Sequence, residues 1–179
     1  MEKREFVVIT AAGTDRPGIV EDLSGWILDE GGNIEDSRMS LLGGEFTAMI
    51  LVSGPAGLAE RLEASREAFA QAHSLTVFTK PVAAAPPPPV APMLRYALRA
   101  AALDHPGIVH KIAHALRCHG ANIVSLATTT VSAPFTGAEV FRIDMEVDVP
   151  AGTPVARLRE ELVALGESQN IDIMLTADF

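Results

Sequence analysis

Asp15-Arg16-Pro17-Gly18-Ile19-Val20 recurs as Asp104-His105-Pro106-Gly107-Ile108-Val109, and this recurrence decides the fold. At the same offset Asn33-Ile34, after Gly31-Gly32, reappears as Asn122-Ile123 after Gly120-Ala121, and Leu23 and Ile27 match Ile112 and Leu116. Farther on, Phe46 matches Phe141 and Gly57 matches Gly152 at a slightly larger offset. The second copy therefore carries extra residues, most simply 133–138 as a longer hairpin tip. One unit occurs twice, and 179 residues give room for two small domains.

Each copy reads strand, helix, strand, strand, helix, strand. In the first, residues 6–11 are β-branched and bounded by Gly13, and residues 17–30 place Ile19, Val20, Leu23, Trp26 and Ile27 at a helical period that Gly31-Gly32 stops. Residues 34–42 and 45–53 flank Gly43-Gly44, a two-residue hairpin turn, and 58–73 and 75–79 complete the unit. The second copy repeats it over 94–103, 106–119, 123–132, 139–149, 154–168 and 171–176. The fold class is α+β: two ferredoxin-like βαββαβ domains, each an antiparallel sheet with both helices on one face. The other face stays bare and is expected to form a homodimer or receive a partner. Domain one spans 1–80, a linker 81–92, and domain two 93–179. The linker holds six prolines in twelve residues, which predicts an extended polyproline strut of roughly 37 Å at about 3.1 Å per residue. An SH3 or WW ligand is the other reading of such a stretch.

Composition narrows the function. Hydrophobic residues make up 48 % and charged residues 21 %, enough apolar material for packed cores. Fourteen Lys and Arg stand against 23 Asp and Glu, a net charge of −9, so phosphate backbones repel the surface and no direct nucleic-acid binding is expected. One cysteine, Cys118, forms no internal disulfide, and the apolar run near the N-terminus is too brief for a signal or membrane span. A cytoplasmic protein with no membrane attachment is expected.

The loop Asp15-Arg16-Pro17-Gly18-Ile19 carries two readings. As plain structure, Pro17 occupies the first helical position and Asp15 accepts from the unpaired amides. As a site, Gly18 lets a ligand carboxylate approach the free amides of Gly18 and Ile19 at the positive helix end. Asn33, followed by Ile34, either tolerates a left-handed backbone or offers a donor and an acceptor to an amino acid. The same pair returns at Asp104, His105, Pro106, Gly107 and Ile108 with Asn122 and Ile123.

These residues resemble the ACT domain, a small regulatory module that binds amino acids. Asn33-Ile34-Glu35-Asp36-Ser37-Arg38, Gly44-Glu45-Phe46-Thr47, the proline-rich spacer and a second ACT-like copy are similar to the tandem-ACT repressors of glycine cleavage genes. The second copy departs from that pattern, with His105 in place of Arg16 and no Glu-Asp-Ser-Arg after Ile123. The resemblance implies a small amino acid, glycine, as ligand and a DNA-binding transcription regulator as protein partner. Two sheets joined edge to edge about a pseudo-twofold, with ligand between the copies, would serve that role. Two alternatives stay open: an interaction module without ligand, and a regulatory subunit of an amino-acid or one-carbon enzyme, since the N-terminal segment of formyltetrahydrofolate deformylase has a similar Asp-Arg-Pro-Gly start.

Gly43-Gly44-Glu45-Phe46 spells the diguanylate cyclase signature, but a glycine hairpin turn explains it without the metal-binding carboxylates of that chemistry. His110, His114 and Cys118 share one helix face, with His119 beside it, and are weak metal candidates against the plainer reading of a polar face. No Walker loop, dinucleotide fingerprint or nucleophile elbow occurs, so neither a cofactor nor catalysis is expected.

Overall fold

The computed structural model describes residues 4–83, 92–132 and 138–177. Residues 84–91 of the expected polyproline strut and 133–137 of the long hairpin tip lie outside the described residues, and the expected linker start is corrected, because Pro81 and Val82 end a β-strand opposite Val7 and Phe6. Two compact units are present, each a four-stranded antiparallel sheet with two helices.

In the first unit β1 (Glu5–Thr14), α1 (Ile19–Asp29), β2 (Asn33–Leu42), β3 (Glu45–Gly54), α2 (Leu58–His73) and β4 (Thr76–Val82) form a sheet of order β2-β3-β1-β4. The second repeats it with β5 (Met93–Leu103), α3 (Ile108–Cys118), β6 (Asn122–Ser132), β7 (Glu139–Pro150), α4 (Val155–Gln169) and β8 (Ile171–Ala177), in the order β6-β7-β5-β8. This is the βαββαβ frame expected from the repeat.

Strand alternation and helix period meet in one core per unit. Along β1, Val7, Ile9 and Ala11 turn fully inward, and along α1 Ile19, Leu23, Trp26 and Ile27 form the stripe that covers them. Leu98, Ile108, Ile112 and Leu116 take the corresponding places in the second unit. The opposite sheet face is bare, as expected: Thr10 pairs with Met49 on one side and Phe78 on the other, and both large side chains are exposed. Gly32 lies under Val52 and Ile27 where any side chain would collide, which lets β2 leave α1 at once. A bulge at Ile34/Asp36 in β2 is matched at Ile123/Ser125 in β6, so the repeat extends to an irregularity of the backbone.

Candidate functional site

Pro17 lies outside α1, a correction to its placement at the first helical position. Gly18 is the N-cap, with φ 92° and ψ −8°, and the helix starts at Ile19. Proline presets the second position of a type II turn and the third position needs a positive φ, so Pro17-Gly18 is spent on the turn. Pro106-Gly107 does the same with φ 93° and ψ 0°. Asp15 and Asp104 do not act as caps either, because no side chain hydrogen-bonds to either helix start. Instead the Asp15 amide donates to the Gly44 carbonyl at 3.0 Å and the Asp104 amide to Glu139 at 3.2 Å, tying each loop to its own hairpin.

The consequence is an open row of amides. The first bonds inside the two helices run from Asp22 to the Gly18 carbonyl and from Lys111 to Gly107. Among the described residues nothing accepts from the amides of Ile19, Val20 and Glu21, or from those of Ile108, Val109 and His110. Helix α2 supplies the internal comparison. Its N-cap Gly57 has the same left-handed backbone, φ 82°, but the Glu5 carboxylate occupies the helix start, accepting from Ala59 at 3.2 Å. The amides of Gly57, Ala59 and Leu58 hold the Glu5 carboxyl below the ordinary carboxylate range. A glycine-capped helix start in this fold thus accommodates a carboxylate, and α1 and α3 leave that place open.

At α1 the open amides border a groove of about 540 Å³ lined by Asp15, Arg16, Gly18 and Glu21 on one side and Met39, Leu41 and Phe46 on the other. The hairpin register Leu41↔Phe46 brings the end of β2 to this place. Ile19 contributes its amide, since its side chain is buried in the core. Arg16 is fixed by a 2.7 Å bond to Asp22, whose carboxylate also lies 3.1 Å from His73 at the end of α2.

Asn33 lies elsewhere. It pairs opposite Ser53, which pairs with Phe6, whereas the Asp15 to Ile19 loop follows Thr14 at the other end of β1. Within one unit the two are separated by the length of β1 between Phe6 and Thr14, about 26 Å at ~3.3 Å per residue. The Asn33 amide bonds to the Ile34 carbonyl and to Glu35, and its φ is not positive, which removes the left-handed reading of this residue. Ile34, partly exposed, stays with it. In the second unit His105 Nδ1 lies 3.2 Å from the Pro106 carbonyl, and Asn122 pairs opposite Asp148, which pairs with Arg95, whereas the Gly107 loop follows Leu103 at the other end of β5. Ile108 is buried and Ile123 packs against the core.

Comparison with known proteins now bears on this geometry. The sequence model of the ACT domain matches residues 5–80. The glycine cleavage system transcriptional repressor of Escherichia coli K12 is 30 % identical over 165 residues, 92 % of this chain and 86 % of that one. The chain belongs to the ACT-domain family. The protein of the same name from Shigella flexneri matches over the same lengths. Among solved structures, an unknown protein from Galdieria sulphuraria superposes with a TM-score of 0.85 at 30 % identity, covering 99 % of this chain and all of that one. A putative glycine cleavage system transcriptional repressor superposes at 0.69 and 28 % identity, covering 97 % and 96 %.

The remaining candidates sort by position on the two ACT units. His110, His114 and Cys118 lie exposed on α3, with Cys118 Sγ 3.7 Å from His114 Nε2, while His119 turns away to bond Glu161 at 2.7 Å. Among the described residues no three His, Cys, Asp or Glu side chains are grouped to hold a metal ion. Gly43 and Gly44, with φ 61° and 84°, form the hairpin turn that the glycine pair predicts. No helix of the described residues is long and apolar enough to cross a membrane.

Charge in the first ACT unit is expected to make it acid-sensitive. Asp22 is held below its ordinary 3.8 by the Arg16 hydrogen bond first, with His73 adding to it. Glu35 is held below 4.5 by the Ser53 hydroxyl and Asn33, Glu63 by the Thr79 hydroxyl and Arg66, and Glu5 by backbone amides. Each folded pKa is depressed, so the unfolded chain takes up more protons as pH falls. The stabilisation is complete above the unfolded values and drains as pH drops through the folded ones. Thermal melts should be level from pH 7 to about 5 and then shift downward for the first unit. A midpoint still unchanged at pH 3 would contradict the assigned contacts.

Proposed function

We propose that this ACT protein is a non-catalytic regulator, working in the cytoplasm, that binds glycine at the start of α1 and acts on glycine cleavage genes through a DNA-binding protein partner. The two units are joined by a proline-rich spacer that follows β4, whose last residues are Pro81 and Val82. One observation carries the ligand assignment: the amides of Ile19, Val20 and Glu21 are open beside a groove, whereas the matching amides of α2 hold the Glu5 carboxylate. A free amino acid would place its carboxylate on those amides and its ammonium toward Asp15 and Glu21. The names of the relatives supply glycine and transcription, and the net charge of −9 favours a partner over direct contact with DNA.

Glycine's five heavy atoms, at a ceiling of about 1.5 kcal/mol each, cap binding near 7.5 kcal/mol, so the affinity is micromolar at best. Metabolite sensing operates at or above that range. The groove exceeds what glycine fills, and its Met39, Leu41 and Phe46 wall makes larger apolar amino acids the strongest competitors. Calorimetry of the full chain against each of the twenty amino acids is expected to give saturable heat with glycine at micromolar to millimolar concentration. Heat with leucine or methionine alone would replace glycine as the ligand, and no heat from any of them would remove the site.

A second reading rests on Gly57. Its positive φ beside a helix that the protein caps with its own carboxylate shows the glycine turn used structurally. On that reading the chain only presents a surface to its partner, and no amino acid would raise its melting temperature.

A further inference from the structure

We propose that the groove between α3 and α4 is a binding site for a planar, indole-sized aromatic compound carrying an N–H donor. The two units differ in what fills the space between their helices. In the first, the Trp26 indole lies between α1 and α2, stacked on Phe69 with ring centroids 4.6 Å apart and planes 10° from parallel, and its Nε1–H donates to Ser65 Oγ at 2.8 Å. The repeat carries Trp26 onto Ala115, by the offset that carries Ile19 onto Ile108. Thr76, opposite Ala12, corresponds to Asp172, opposite Ala101, and the left-handed Ser74 ending α2 corresponds to Asn170 ending α4. That register carries Phe69 onto Leu165, Ala68 onto Ala164 and Ser65 onto Glu161.

The second unit thus lacks the ring that closes this place in the first, and a groove of about 530 Å³ is found there, its floor formed by Ala115, Ala164 and Leu165. That volume lies within the range of small-molecule sites, and the apolar floor is rimmed by His110, Lys111, His114, Glu161 and Ser168, which supply polar groups to orient a ligand. The rim matches an indole in polarity as well as shape. Glu161 stands where Ser65 accepts the Trp26 N–H, and its Oε2 is anchored by His119 at 2.7 Å, which leaves the other carboxylate oxygen to accept from a ligand. The imidazoles of His110 and His114 flank the opening on α3. The first unit therefore displays, inside the same chain, the kind of occupant that the second unit lacks.

The site is separate from the α1 groove, so its test is independent of glycine binding. Indole itself is the probe, titrated to 5 mM into the isotopically labelled full chain and followed by amide chemical shifts. Saturable shifts clustered on 110–118 and 161–168 are expected. 1-Methylindole, which lacks the donor, should bind at least fivefold more weakly to the unaltered protein, a comparison that needs no variant. Ala115→Trp refills the groove and should abolish the shifts, and Ala115→Leu should weaken them should the larger residue fold poorly. No shift by 5 mM, shifts centred on the α1 groove, or equal binding of 1-methylindole would each overturn the proposal.

Discussion

Gly18→Leu is expected to abolish glycine binding and to destabilise the first unit by about 1–2 kcal/mol, the cost of placing a side chain in the left-handed backbone region. Space does not set that cost, since a Cβ at Gly18 would meet only Arg16 Nη1 at 3.8 Å, an ordinary contact. The dihedral does, at φ 92°. The leucine would also rise over the open amides of Ile19 and Val20, where the ligand carboxylate is placed. Gly107→Leu separates the two effects. Its backbone is the same, φ 93°, and nothing lies within 4 Å of an added Cβ, so it should cost the second unit a similar amount. Glycine affinity at α1 should survive it. Urea unfolding gives the stability term and calorimetry the ligand term. Undiminished glycine heat in Gly18→Leu would detach the site from α1 however the stability falls, and Asn33→Ala, at the far end of the sheet, should leave that heat unchanged.

Local signals in the sequence proved readable where one short segment decides the outcome. Gly43-Gly44 makes its hairpin, the apolar period from Ile19 to Ile27 makes α1, and the second copy repeats the helical period in α3. Readings failed where two acceptable local solutions compete. Pro17 suits a first helical position and also the second position of a type II turn, and the following glycine settles the choice by taking the positive φ. Other features depend on residues that meet only after folding. Glu5 comes to α2 because β1 lies beside the start of that helix, and Met39 and Leu41 border the α1 groove because the hairpin register carries them there. The register also sets Asn33 at the opposite end of its own sheet from Gly18, a separation that repeat spacing does not reveal. The contrast between Trp26 and Ala115 is visible as letters, but its meaning needs the α1–α2 stack.

Trp26→Ala is expected to lower the stability of the first unit by about 3–5 kcal/mol, the usual range for truncating a buried large aromatic. For a unit of roughly 80 residues, whose total is about 4–12 kcal/mol at 0.05–0.15 kcal/mol per residue, that is from about a quarter to the whole. Trp26 is 7 % exposed and Phe69 9 %, so nearly the full transfer and cavity terms apply. The indole N–H bond and the stack add to them, leaving Ser65 to rely on its remaining bond to the Arg61 carbonyl. Far-UV circular dichroism in urea should show the first unit unfolding early while the second keeps its midpoint. Phe69→Leu, which installs the side chain of the second unit at Leu165, keeps most of the buried area and should cost about 1 kcal/mol, chiefly from the lost stack. The double variant is decisive because contacting residues do not add. Once Trp26 is gone Phe69 keeps only its tilted contact with the His73 ring, 4.5 Å between centroids, so the pair should lose less than the sum of its singles. Strict additivity would mean that the 4.6 Å stack contributes no coupling of its own, and that the shape of the groove, independent of aromatic pairing, separates the two units.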